Sequence, residues 1–416
     1  MKNIWIIFSL LFLLSCSVSP IFHSDNTIRD NRIKFESQLK ENIEQNITAE
    51  LSDANTEKFE STFWAMELMN YRSNRTDSVI TKSLSDFSSL SSSLQRAFLE
   101  VIYTLYPNEF QTEIKNILPE LKSPKNFAMA ANYLIRNDTC FSYCEEYLNK
   151  FNDKNGNPIF ISLANSLNFL KLKKTIQTPP LHDLLYHKLS EDYFYIYSFQ
   201  RKNRDYRGIT IVKNKDNKFI RNEDGSIFYI KHFARSITNL PGYITNGNTP
   251  QGVLSFQGFA NSKNVFIGPT TNLQLGLPFE FSVKSFFGNN NENSEWKLEL
   301  YKDLFPKSWR NYAPVSEAYY AGKAGRTEII AHGSTINPEF YADKTYYPYT
   351  PSQGCMTALE KWSETNGELI ESDQLKFWGA VKSCNSEKGF LYLIELDDKN
   401  ADVRFEEISK FIDELF

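Results

Sequence analysis

The chain carries no phosphate-binding loop, no dinucleotide fingerprint and no zinc-ligand spacing, so no cofactor and no metal is called for. It also lacks an excess of basic charge. Lys and Arg total 46 against 50 Asp and Glu, a net charge of −4. A dedicated nucleic-acid binder would show a basic face, so that class is set aside. Histidine and cysteine are scarce, five of each in 416 residues. Candidate bases and thiol nucleophiles are correspondingly few. Aromatics, by contrast, make up 15% of the chain and supply ample apolar area for burial. The length predicts two domains after an N-terminal segment.

That segment opens with Lys2 and an almost continuously apolar run from Ile4 to Leu14. The run has the length of a signal h-region and is too short to span a bilayer as a stable helix. It ends in Leu13-Leu14-Ser15-Cys16, which resembles a bacterial lipoprotein signal. The resemblance implies a signal peptide over residues 1–15, acylation of Cys16, and a membrane anchor strengthened by about 0.8 kcal/mol per buried methylene. Leu14 is bulkier than the residue usual at its position. An ordinary secretory signal, with Cys16 incidental, is the alternative. Ser17 after the cysteine points to the outer membrane by analogy with enteric sorting. The polar stretch after Cys16, to residue 32, reads as a tether that carries His23.

Residues 33–178 have helical apolar spacing. Phe63, Trp64, Met66, Leu68 and Met69 form one cluster; Phe98, Val101, Ile102 and Leu105 another. Phe127, Ala130, Ala131 and Leu134 follow, then Leu163, Leu167 and Leu170. Turn signals such as Tyr106-Pro107-Asn108 and Ser123-Pro124-Lys125 separate them. A cluster spacing of about thirty residues lies in the range of helix-pair repeats. The expectation is an all-α bundle or short solenoid, with a protein partner as its functional reading.

Thr178-Pro179-Pro180 breaks this pattern. Over 181–416 the period becomes two. Strands are predicted at Tyr193 to Phe199, Ile209 to Lys213, Ile227 to Phe233, Leu254 to Phe259, Val265 to Ile267, Glu328 to Ala331 and Leu391 to Leu396. Helices are predicted at Ala358 to Thr365 and Val403 to Leu415. The fold class is therefore α+β, helical first and β-rich second.

The chemistry-bearing residues lie close together. The strand ending at Ala331 runs into His332-Gly333-Ser334. A tyrosine-rich loop with Tyr346, Tyr347 and Tyr349 follows, then Ser352-Gln353-Gly354-Cys355. Thr357-Ala358-Leu359-Glu360 has the form of a capping box. A helix starting there would favour the Cys355 thiolate. Gly354 permits a sharp turn, and the N–H groups of Gly354 and Cys355 could face an oxyanion. His332 could accept the thiol proton. A buried inert cysteine and a hydrogen-bonded turn histidine are the bland reading of the same pair.

His332-Gly333-Ser334 followed by Ser352-Gln353-Gly354-Cys355 resembles the His-Gly … Ser-x-Gly-Cys signature of L,D-transpeptidases, the YkuD domains. Asn248-Thr249-Pro250-Gln251-Gly252-Val253 resembles the Thr-Pro-x-Gly segment upstream of it. The likeness covers roughly residues 193–362. Departures are Gln353 in place of His, Thr357 in place of Arg or Asn, and a longer loop before the cysteine. The resemblance implies an L,D-transpeptidase-like catalytic domain acting on peptidoglycan stem peptides. Cys355 would be the nucleophile and His332 the base, held by a backbone carbonyl. Gly333, Ser334, Ser352 and Gln353 would line the substrate. Tyr347 and its neighbours could form a lid or pack on themselves. Arg326 could meet a substrate carboxylate or sit solvated at a strand edge. A carboxypeptidase, a hydrolase of another envelope link and an inactive partner-binding lipoprotein are the alternatives. Cys140 and Cys144 could pair only with strain, Cys384 reads as core, and His182 and His187 flank the domain junction without metal-like partners.

Overall fold

The structure is a computed structural model that describes residues 22–136, 139–172, 178–189, 192–288, 295–341 and 352–412. Eight helices open it: α1 (Arg29–Asn46), α2 (Thr56–Met69), α3 (Asn74–Ser85), α4 (Ser92–Leu105), α5 (Gln111–Ile117), α6 (Pro124–Ile135), α7 (Phe141–Leu148) and α8 (Pro158–Lys171). The side chains of Ser73, Ser91, Ser123 and Asn157 accept N–H groups of the first turns of α3, α4, α6 and α8. The predicted turn at Ser123-Pro124-Lys125 is thus the capped start of a helix, with Pro124 where a missing N–H costs nothing. Alternate helices α2, α4, α6 and α8 pack in order as one row. Their starts fall at 56, 92, 124 and 158, so the apolar clusters of the sequence are successive members of that row. The seam is aromatic: Phe63 and Phe98 pack edge to face at 4.7 Å, and Phe59 lies beside both.

Ten strands follow: β1 (Phe194–Gln200), β2 (Gly208–Lys213), β3 (Tyr229–Phe233), β4 (Gly252–Ala260), β5 (Asn272–Gly276), β6 (Ile329–His332), β7 (Met356–Ala358), β8 (Glu360–Trp362), β9 (Leu369–Ser372) and β10 (Gly389–Glu395). Eight close into a barrel in the order β1-β10-β4-β5-β6-β7-β3-β2, and β8 and β9 pair apart from it. Pairing is parallel for β1 with β10 and for β6 with β7; the other barrel neighbours are antiparallel. Short helices fill the connections: α9 (Leu181–Tyr186), α10 (Val283–Phe287), α11 (Leu298–Lys302), α12 (Glu317–Lys323), α13 (Pro338–Tyr341), α14 (Asp373–Lys382) and α15 (Glu406–Ser409). The molecule is therefore α+β, with a helical N-terminal region and a C-terminal barrel. The loop after β3 reaches back into the helical core through Ile237, Leu240, Tyr243 and Ile244. Asn132 donates to the Tyr243 hydroxyl at 2.7 Å, and α8 packs on α12.

Four sequence expectations change. Residues 22–32 are not a free tether. The Ser24 N–H donates to Gly367 O, the Leu369 N–H donates to Phe22 O, and buried Arg32 donates to Thr335. Val265 to Ile267 is a turn held by Asn264, not a strand. No helix covers Ala358 to Thr365: Thr357 and Trp362 suit a pleated surface, and the segment forms β7 and β8. The helix predicted from Val403 shrinks to α15, and residues 413–416 lie outside the described ones.

Candidate functional site

Gly354 adopts φ +116, a conformation L side chains rarely take, and a Cβ there would lie 1.8 Å from Nη2 of Arg326 and 2.4 Å from Gly247 O. Ser352 ties the turn: its hydroxyl accepts the Gly354 N–H at 3.0 Å and donates to Cys355 O at 2.9 Å. Of the two N–H groups expected to face an oxyanion, that of Gly354 is therefore already committed. Cys355 enters β7 directly. The helix start expected to favour its thiolate is absent, because the Thr357–Glu360 segment is extended. Burial instead pushes the thiol above its ordinary range, opposed by the Ile330 backbone and by Arg326. Its Sγ lies 3.6 Å from Glu328 O. Glu328 itself holds φ 62, local strain at the first turn of the strand that borders the thiol.

The β6–β7 register pairs Ala331 with Met356 and His332 with Thr357. One step back, Cys355 stands beside Ile330, two positions before His332 on the same face of the pair. His332 is buried, and its Nδ1 is held by Gly333 O. That contact places the proton on Nδ1 and leaves the lone pair on Nε2. Burial pushes His332 down to about 4, so the imidazole is neutral at pH 7.

Glu360 stands behind this histidine. A Cβ on Gly333 would fall 2.1 Å from the Glu360 carboxyl carbon, so only glycine lets that carboxyl pack against the backbone that holds His332. The Ser372 hydroxyl donates to Oε1 at 2.7 Å, while Oε2 is buried without a hydrogen-bond partner. Burial pushes Glu360 up to about 8, which leaves it mainly protonated at pH 7. From α14, Gln374 donates to Thr271 O and to Ala331 O, bracing the strand one residue before His332. Sequence reasoning missed both residues. The available signal for Glu360 was a charge on the inward side of the strand-like stretch Ala358 to Trp362, next to the outward Lys361.

The upstream segment meets the cysteine loop. The Thr249 hydroxyl donates to Gly354 O at 2.9 Å. Arg326 is buried and donates to Gly242 O, Gly247 O and, at 2.6 Å, Asn248 O. It neither meets solvent at a strand edge nor faces an open cleft. It ties the 242–248 loop beneath Gly354, and burial lowers it to about 10, still charged at pH 7. Three separated sequence segments thus converge on one turn. No family model, curated protein or solved structure matches the chain.

The remaining expected site residues distribute as follows. Ser334 is buried; its hydroxyl accepts the Ile336 N–H and its carbonyl accepts from Trp362 Nε1. Gln353 is exposed at the mouth of a cavity shared with the helical region. Tyr346, Tyr347, Tyr349 and Cys16 lie outside the described residues. Cys140, Cys144 and Cys384 are free thiols; Cys384 is buried at the end of α14 and pushed up to about 12. His182 stacks on Tyr186, and His187 is half-buried and lowered by burial, then by Arg310 and Lys213. Among the described residues, no three His, Cys, Asp or Glu side chains converge as metal ligands would.

Proposed function

We propose that this chain is an envelope cysteine acyltransferase of the L,D-transpeptidase kind, acting on peptidoglycan stem peptides. The observation that supports the reading is the convergence on one turn of the segments carrying the resemblance: Thr249 on Gly354 O, Arg326 under Gly354, and Cys355 entering β7 alongside the strand that ends in His332. In this reading the Cys355 sulfur attacks the carbonyl at the L-centre of the third residue of a stem tetrapeptide. His332 Nε2 takes the thiol proton as the carbon–sulfur bond forms. The tetrahedral intermediate collapses, the carbon–nitrogen bond breaks, and the imidazolium returns its proton to the departing D-alanine amine. The thioester then passes to an amine of a neighbouring stem, with loss of the amine's proton and release of the thiol. Passage to water gives carboxypeptidase action. A turn about χ1 of Cys355, from Glu328 toward His332, is part of the proposal.

Purified protein incubated with a stem tetrapeptide should gain the mass of the tripeptide acyl group on Cys355. It should also form a covalent carbapenem adduct on the same residue, seen by intact mass and peptide mapping. A 3–3 linked dimer identifies transfer, and free tripeptide identifies hydrolysis. No adduct and no turnover would sink the catalytic reading in favour of a partner-binding lipoprotein.

The proposal includes a lipid anchor at Cys16 with the protein facing the periplasm, at the outer membrane. It is supported by the apolar run that stops at that cysteine. Cys16→Ala should move the protein from the membrane fraction to the soluble fraction. An unchanged fractionation would remove the anchor from the account.

A further inference from the structure

A cavity of about 170 Å³ separates α2 and α4 from the loop that precedes Cys355. Phe63, Trp64 and Glu67 of α2 and Glu100 of α4 meet Ser352 and Gln353 across it. Its charges do not balance. Arg96 bonds Glu60 at 3.3 Å and Glu100 at 3.0 Å, and the second oxygen of Glu100 accepts from Asn246 at 2.9 Å. Glu67 is 7% exposed, and its Oε1 is buried without a hydrogen bond. Among the residues that line the cavity, the cation of Arg96 faces the carboxyl groups of Glu60, Glu67 and Glu100. A lone buried carboxyl oxygen is costly to leave unmatched, and a donor with several N–H groups would relieve it.

We propose that this cavity binds a primary ammonium group of a peptide side chain, which donates to Glu67 Oε1 while its methylenes lie on Phe63 and Trp64. The chemistry favours this class over others. An ammonium brings three donors and one positive charge on a narrow stem, and aromatic walls attract cations. A divalent metal would need convergent ligands, and none converge among the described residues. An anion would meet the excess of carboxyl groups. Burial, then Glu100, raises Glu67 well above the usual carboxylate range, and Arg96 opposes them only in part. The helical row thereby acquires a role: it holds an amine-bearing peptide beside Gln353, two residues from the candidate nucleophile. That consequence rests on the acyl-transfer reading; the binding does not.

The test uses the full chain and its Cys355→Ala variant, titrated with Nα-acetyl-lysine amide and with the uncharged Nα-acetyl-norleucine amide. Calorimetry should show saturable binding of the lysine compound by both proteins, with a matching rise in Tm, and none of the norleucine compound. Glu67→Gln should weaken binding tenfold or more. Glu60→Gln, at a more exposed carboxyl, should weaken it severalfold and serves if Glu67→Gln does not fold. Equal binding of the two compounds, no binding, or affinity unchanged in a folded Glu67 or Glu60 variant would overturn the site. The carbapenem adduct is read separately, so loss of thiol chemistry and loss of ammonium binding are distinguishable.

Discussion

Replacing His332 with alanine is expected to slow acylation of Cys355 by roughly 10²–10⁴-fold near pH 7, the usual contribution of a positioned general base. The size follows from the state of both groups. The thiol is pushed up by burial and gains no help from a helix terminus, so little thiolate forms unaided. The imidazole is pushed down to about 4, so it is neutral and able to accept a proton throughout the working range. An imidazolium in that buried site is expensive, so proton transfer must accompany carbon–sulfur bond formation rather than precede it. The deficit of His332→Ala should therefore shrink as pH rises toward the thiol's own ionisation, where solution supplies the thiolate. Carbapenem acylation rates of the wild type and His332→Ala, measured from pH 6 to 10, read this directly. A deficit below threefold at pH 7, or one independent of pH, would falsify the role of His332. Cys355→Ala should give no adduct at any pH.

Glu360→Gln is expected to stabilise the protein in a pH-dependent way. The folded state holds this carboxyl protonated up to about 8, while the unfolded chain releases the proton near the ordinary glutamate value of 4.5. Between those values the folded state binds more protons than the unfolded one. Stability from this group is present below about 4.5 and is lost as pH rises toward about 8, at about 1.4 kcal/mol per pH unit. Glutamine mimics the neutral carboxyl without the titration. The stability difference between Glu360→Gln and the wild type should thus grow from near zero at low pH to on the order of 3 kcal/mol at pH 7. Taking the difference matters, because buried His332 and His232, lowered to about 4 and about 3, impose the opposite slope below their unfolded value of 6.5. Denaturant unfolding of both proteins from pH 4.5 to 8.5 measures it. A constant difference would mean that Glu360 is ionised in the fold. Because the carboxyl backs Gly333, ionising it would also place a negative charge behind the imidazole, so its neutrality helps keep His332 an uncharged base.

Much of the architecture was legible from local pattern. The helical clusters at Phe63, Phe98, Phe127 and Leu163 became α2, α4, α6 and α8, because an apolar stripe at helical spacing has one way to be buried. The short, β-branched and aromatic apolar runs that form β1, β2, β4, β6 and β10 were legible as strands, and they are buried on most residues because both faces of the barrel wall are covered. The failures lie where local signals conflict with long-range pairing. Thr357 to Glu360 reads as a capping box, yet its neighbours in space are β3, β6 and β9, and a strand satisfies them. The tether residues from Phe22 look merely polar until Glu364, Gly367 and Thr335 are brought opposite them.

The sequence by itself determined the helical and β halves and the order of the segments that carry Cys355 and His332, all properties of neighbours along the chain. Only the tertiary structure decided that Cys355 enters a strand rather than a helix, that Arg326 braces backbone carbonyls beneath Gly354, and that Glu360 is a neutral carboxyl behind His332. Each depends on burial and on partners dozens or more residues away, and a charge's environment is set by what surrounds it in space.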